Sequence, residues 1–168
     1  MTPQPDGYDV ACLAGGPHRV VDTALVALVS TGRVRAVAPG ELQVVDPRRR
    51  HPVEAAVLDA VGGRGRRSVE TVRWRALADE RVTGVARELR ARRLLGRVVR
   101  LTPAGRRALE RARAADVGPV LHVALDGRDR LTDPALRAAV LDPPRRPVPA
   151  GGVPPRLLSP GDGCDVAP

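Results

Sequence analysis

Between residues 73 and 113 the chain carries thirteen arginines: Arg73, Arg75, Arg81, Arg87, Arg90, Arg92, Arg93, Arg97, Arg100, Arg106, Arg107, Arg111 and Arg113. A guanidinium offers a planar fork of donors that pairs bidentately with a phosphate or with the edge of guanine. The formal net charge of +9 is unevenly spread: residues 1–45 carry −1, 46–67 carry +3, 68–115 carry +8 and 116–168 carry −1. A basic patch acts on a partner only where it is local, so the third stretch is the one able to hold a polyanion. Arg81, Arg87, Arg90, Arg93, Arg97, Arg100, Arg106 and Arg107 are the candidate contacts. The competing account is a solvated helix surface. All 28 basic residues are arginine, as an Arg-rich codon pool would give, and Glu70, Asp79, Glu80, Glu88 and Glu110 interleave with the cluster. Glu at i with Arg at i+4 supports an exposed helix with no ligand at all.

Other reactive residue types are sparse. His18, His51 and His122 are scattered, and none pairs with a Cys or carboxylate at metal-ligand spacing, so no metal and no cofactor is expected. Cys12 sits among Val10, Ala11 and Leu13 and reads as a small buried apolar group. Cys164 is far from it, which gives no disulfide framework and fits a reducing, cytoplasmic setting. Gly62-Gly63 and Gly65 follow a helix instead of a strand and lack the spacing of a phosphate loop. No serine has the strand-turn-helix context of an activated nucleophile. The chain therefore reads as non-enzymatic, with no small-molecule substrate evident. There is no Phe, one Tyr (Tyr8) and one Trp (Trp74), so stacking platforms for single-stranded nucleic acid are missing. Trp74 falls between the core and surface faces of its helix, a rim packing position that could also anchor a partner. The Arg48-Arg49-Arg50 and Arg64, Arg66, Arg67 groups could touch phosphate, but such runs more often serve as soluble linkers.

The elements that must position these residues can be read from periodicity and caps. Asp6 caps a short helix from about Gly7 to Ala14, and Gly15-Gly16 stops it. Pro17 opens a second helix to about Thr31, with Val20, Val21, Ala24, Leu25, Leu28 and Val29 as an apolar stripe. Its other side, Asp22, Thr23, Val26, Ala27 and Ser30, is expected to face outward and to meet a protein partner or the neighbouring module, as a dimer or interdomain surface. Arg33 to Ala38 and Glu41 to Val45 form a hairpin around Pro39-Gly40. Pro52 to Val61 is a helix, Gly62 to Arg67 a basic loop, and Ser68 caps a helix to about Asp79. Another runs to Leu95 and is closed by Gly96, with Gly84 weakening its first turn. Arg97 to Leu101 reads as a strand, and Thr102-Pro103 caps a helix to about Ala115. Val120 to Leu125 is a short apolar run, Asp126-Gly127 a turn, and Asp133-Pro134 the cap of a helix to Leu141. From residue 143 Pro and Gly dominate, and too few apolar anchors remain to offset ordering entropy. The fold class is mainly α with small β-hairpin or wing elements. The expected division is residues 1–45, 46–115, an extension over 116–142 and a disordered tail over 143–168. No apolar run reaches the ~20 residues of a membrane span, because Asp22 interrupts Val20 to Val29.

Two stretches resemble known families. Arg97 to Leu109 (RVVRLTPAGRRAL) is similar to the wing-to-last-helix segment of bacterial winged-helix regulators of the multiple-antibiotic-resistance and phenolic-acid types, where Leu-Thr-Pro-x-Gly leads from a strand into a helix. Over residues 8–141 the chain resembles an uncharacterised actinobacterial family with an N-terminal helical module of the LAGGP type. The matching segments are YDVACLAGGPHRVVDTALVALVSTGRV (Tyr8 to Val34), HPVEAAVLDAVGG (His51 to Gly63) and LTDPALRAAVL (Leu131 to Leu141). Many members of that family carry membrane segments and a Gly/Cys-rich tail; here the end of the chain is PGDGCDVAP.

Together these features point to tandem winged-helix-like modules with two uses. The leading reading is a protein-interaction scaffold, as a homodimer or with a protein partner, whose surface includes Val26, Ala27 and Trp74. The alternative is a regulator of transcription that binds double-stranded DNA through the basic second module.

Overall fold

The first helix begins where the Asp6 carboxylate accepts hydrogen bonds from the backbone N–H groups of Tyr8 and Asp9, both at 2.8 Å, while Asp9 returns a bond to the Asp6 N–H at 3.3 Å. This reciprocal capping box fixes helix α1 (Gly7–Ser30). The computed structural model describes residues 4–63, 65–96, 100–115 and 118–141. Within α1 the chain breaks at Gly16, whose φ of 72° and ψ of −164° are non-helical, and Pro17 restarts the helix. The sequence reading of two helices separated by Gly15-Gly16 corresponds to this kink. The helix stops at Thr31. The Gly32 N–H bonds back to the Val29 carbonyl and the Arg33 N–H to that of Leu28, at 3.0 and 2.9 Å, with Gly32 left-handed. Such a closure favours glycine because a Cβ penalises that conformation.

Strands β1 (Val34–Ala38) and β2 (Glu41–Val44) form the expected antiparallel hairpin, with a register irregularity between Ala36 and Ala38. Helix α2 (Pro52–Val61) follows, capped by the His51 ring, whose Nδ1 accepts from the Val53 N–H at 3.1 Å. Part of the stretch read as a basic loop is ordered. Strand β3 (Arg67–Ser68) adds to the open side of β2, giving a three-stranded antiparallel sheet in the order β1-β2-β3. Ser68 then caps α3 (Val69–Leu77), Asp79 caps α4 (Glu80–Ala91), and Thr102 caps α5 (Pro103–Ala114). Helix α4 ends earlier than its apolar spacing suggests. Arg93, not Gly96, takes the left-handed position with φ of 58°, and the Leu94 N–H reaches back to the Leu89 carbonyl at 2.9 Å. Residues 97–99 of the expected strand lie outside the described residues, but Leu95 and Leu101 form an antiparallel bridge on either side of them. The apolar run after Gly118 is helix α6 (Pro119–Asp126). It is followed by a 3₁₀ turn (Arg128–Arg130) and by α7 (Pro134–Val140), capped by Asp133 as expected.

The architecture is mainly helical with this one small sheet. Helix α1 is the axis of packing. One continuous buried cluster draws on Leu13, Leu25 and Leu28 of α1, Val57 of α2, Val72 of α3, Leu89 of α4, Leu109 of α5 and Leu125 of α6. Residues 1–45 and 46–115 thus contribute to a shared core. A second, smaller cluster joins Val26 to Val123, Leu131, Leu136, Ala139 and Val140. By length and composition alone α1, at 24 residues, is apolar enough to cross a membrane; in this fold its apolar surface is what the other helices cover.

Cys12 lies inside that core at 4 % exposure, and its thiol is pushed up to about 11, first by burial and then by the neighbouring Asp9 charge. The folded value lies above the ordinary cysteine value of about 8.5. The thiol's contribution to stability is therefore complete below that ordinary value and is lost as pH rises through about 11. Iodoacetamide at pH 8 should leave Cys12 of the native chain unmodified over a period in which the urea-unfolded chain reacts fully, as read by peptide mass spectrometry. Equal rates in the two states would contradict this burial.

Candidate nucleic-acid interface

The face of α1 expected to meet a partner or the neighbouring module is covered within the chain itself. Asp22, Thr23 and Val26 are buried, Ala27 is half-buried, and Ser30 is exposed. This corrects the expectation for Val26, which at 0 % exposure presents no surface. The cover is the chain's own 118–141 segment, whose Val123, Leu131, Leu136 and Val140 pack on Val26. The physical reason is visible in the helix itself: a helix apolar on nearly all sides must be buried on all of them. Trp74 departs from its expected rim packing in the other direction, being 73 % exposed on α3.

Ion pairs of the fold take up three arginines of the basic stretch. Arg73 is drawn inward, its Nε donating to Asp22 at 2.8 Å and its Nη2 to the Val140 carbonyl at 2.8 Å. Arg92 reaches Asp9 of α1 at 2.6 Å. Arg81 is held by two carboxylates, Asp79 at 2.6 Å and Asp59 at 2.9 Å. Its hydrogen bond keeps the Asp79 carboxyl below the usual range, while Asp79 and then Asp59 raise the Arg81 guanidinium further above its own. Sequence reasoning missed these roles, and also the buried Arg33–Glu54 pair, because each partner lies 21 to 83 residues away or was read as surface charge.

The remaining candidates keep their charge outward. Arg87, Arg90, Arg93, Arg100, Arg106 and Arg107 are exposed and make no ion pair among the described residues. Arg97 lies outside the described residues. Of the eight candidates, then, Arg81 is diverted to structural carboxylates and six are available. Two elements carry these six and the joint between them. The C-terminal half of α4 presents Arg87 and Arg90, and its left-handed cap presents Arg93. The start of α5 presents Arg106 and Arg107, with its core side given to Gly105, Ala108 and Leu109. The two helix ends are tied together: the Thr102 hydroxyl donates to the Arg93 carbonyl at 2.7 Å and accepts from the Gly105 N–H at 3.0 Å. Arg90 and Arg93 also lie at the negative end of the α4 dipole, where a cation is stabilised without any ligand.

Comparison with known protein families, characterised proteins and solved structures gives no match for this chain.

Proposed function

We propose that the chain is a non-enzymatic binding protein that takes double-stranded DNA on the basic surface of α4 and α5. The observation carrying this reading is the group of six outward arginines on α4, on α5 and between them, left without carboxylate partners among the described residues, while Arg73, Arg81 and Arg92 of the same stretch are taken up by carboxylates of the fold. The order of elements over residues 52–114 supports a winged-helix-like scaffold: helix, short strand, two helices, a β-bridge and a final helix. The LTPAG resemblance falls at its last joint. Residues 7–44, a kinked helix and a hairpin, would make the first of two such modules. In this scaffold α4 would be the helix offered to the major groove. Because Arg81 is occupied and Glu80 opens the helix, the contact shifts to its C-terminal half and to α5. The protein-partner reading, cytoplasmic like this one, retains Trp74 as its exposed anchor; its Val26 surface is buried.

Binding of this kind is dominated by phosphate neutralisation and is steeply salt-dependent, with a slope of log K on log salt of about −0.9 per phosphate contact. Fluorescence anisotropy with a 30-base-pair duplex should show binding at 50 mM salt with a slope of about −5, corresponding to six contacts. The combined variant Arg90→Ala, Arg106→Ala, Arg107→Ala should reduce the slope by about 3 units. No binding of the full chain at 50 mM salt removes the proposal. So does a triple variant whose salt slope equals that of the parent.

A further inference from the structure

The kink in α1 opens a cleft of about 330 Å³ against α3 and the corner between α6 and the 3₁₀ turn, with Arg19, Arg73, Arg128, His18, Asp22 and Asp129 on its walls. We propose that this cleft binds a small phosphorylated molecule, with Arg19 and Arg128 holding the phosphate. The inference does not depend on the DNA surface, which lies on other residues.

The charges on the walls are not balanced against one another. Asp22 is taken by Arg73, whose guanidinium is itself spent on that carboxylate and on the Val140 carbonyl. Arg128 stands 3.8 Å from the same Asp22 oxygen, beyond hydrogen-bond distance, with two-fifths of its side chain exposed. Arg19 is half-buried and has no carboxylate among the described residues. Its one side-chain bond among the described residues is a long one, 3.5 Å from Nη1 to the Val123 carbonyl. Burying even part of a guanidinium without a counterion is unfavourable unless something supplies one. Three arginines against two aspartates leave one positive charge, and Asp129 is exposed, with no ion pair among the described residues.

Backbone shape holds Arg19 in this unpaired position. Its side chain runs between two glycines, one on each side of the cleft. A Cβ on Gly15 would stand 2.9 Å from the Arg19 Nε, and one on Gly127 would stand 3.1 Å from its Cζ. Gly127 also has φ of 98°, which side-chain-bearing residues rarely adopt. The guanidinium therefore lies flat on the Gly127 backbone, with its fork of donors preserved. A planar fork suits a phosphate oxygen pair, and the volume is at the lower end for small-molecule sites, enough for a phosphate and a modest group attached to it.

Titration calorimetry on the full chain, with inorganic phosphate, glucose 6-phosphate and glucose as probes, tests this. The two phosphates should saturate a single site, and glucose should give no heat. Arg19→Gln and Arg128→Gln should each weaken phosphate binding about ten-fold or more, as loss of a charged hydrogen bond does. The Arg106→Gln, Arg107→Gln variant should bind as the parent does. Should Arg19→Gln fail to fold, the less buried Arg128→Gln decides alone. Absence of saturation by either phosphate overturns the proposal, as does binding that survives Arg128→Gln. An equal loss in the Arg106, Arg107 variant would reduce it to diffuse attraction by the basic surface. If DNA binding fails while phosphate titrates as expected, the cleft stands and the DNA reading falls.

Discussion

Replacing Glu54 with alanine is expected to lower the unfolding free energy by about 3–5 kcal/mol, the range found when one partner of a buried ion pair is removed. Arg33 is 4 % exposed, and its guanidinium is bonded by the Glu54 carboxylate of α2. Two of its nitrogens, Nε and Nη2, are buried without a hydrogen-bond partner among the described residues, so the charge has little other compensation. It cannot escape to water by a backbone shift. Its own carbonyl accepts from both Val45 and Asp46, at 2.8 and 3.0 Å, and its N–H closes the end of α1. Glu54 also accepts the Tyr8 hydroxyl at 2.9 Å; burial first, and then the Glu54 charge, push that phenol far above its ordinary value. Losing Glu54 therefore strands a cation and a hydroxyl together. A domain has only about 5–15 kcal/mol in total, so a loss of this size is a large share of the chain's stability. The pair itself need not be favourable over apolar side chains, since both ions lose hydration. Arg33→Met combined with Glu54→Leu should accordingly recover most of what Glu54→Ala loses. Urea unfolding followed by circular dichroism measures both. A loss below 1 kcal/mol in Glu54→Ala would show that Arg33 finds other solvation.

How much of this was readable beforehand follows the range of the interactions. Asp6, Gly32, Pro52, Ser68, Thr102 and Asp133 mark helix ends in the sequence and do so in the structure. A cap bonds within two or three residues, and neighbours alone decide it. Arg93 shows the limit even there: glycine at position 96 was the better left-handed residue, but the Leu89–Leu94 bond and the docking of α5 place the turn at 93. Pairings across the chain left no periodic trace. Asp22 was read as an outward acid, and it is the counterion of Arg73, 51 residues away. Asp9 carries the capping box and also takes Arg92, 83 residues away. The basic stretch thus read as one patch when the fold splits it. The covered face of α1 had a legible signal, namely that Val123, Leu131, Leu136 and Val140 needed an apolar surface and α1 offered the unused one. Strand β3 is two residues long, too short for any alternation to register.

Gly105→Ala is the other substitution with a large expected effect, and it explains the glycine in the LTPAG segment. Helix α5 leaves its Thr102 cap directly over the end of α4, and a Cβ at position 105 would fall well inside contact distance of the Leu94 carbonyl oxygen and 3.1 Å from its carbon. That carbonyl accepts from the Thr102 N–H at 3.2 Å and lies 3.1 Å from the Thr102 hydroxyl, whose proton it shares with the nearer Arg93 carbonyl, so it cannot retreat without breaking the cap. The alanine must therefore push α5 off α4, at a cost of about 3 kcal/mol, the upper part of the usual range for overpacking. Gly84, inside α4, is the control. Nothing lies within 4 Å of a Cβ there, so the intrinsic helix preference acts alone and Gly84→Ala should stabilise by up to about 1 kcal/mol. Opposite signs at two helical glycines, read by thermal unfolding, would establish that close approach and not flexibility fixes Gly105. A Gly105→Ala variant as stable as its parent would mean that α5 does not seat on the Leu94 carbonyl. The joint presenting Arg93 beside Arg106 and Arg107 would then lose its geometry, and DNA affinity should fall in step with stability if it holds.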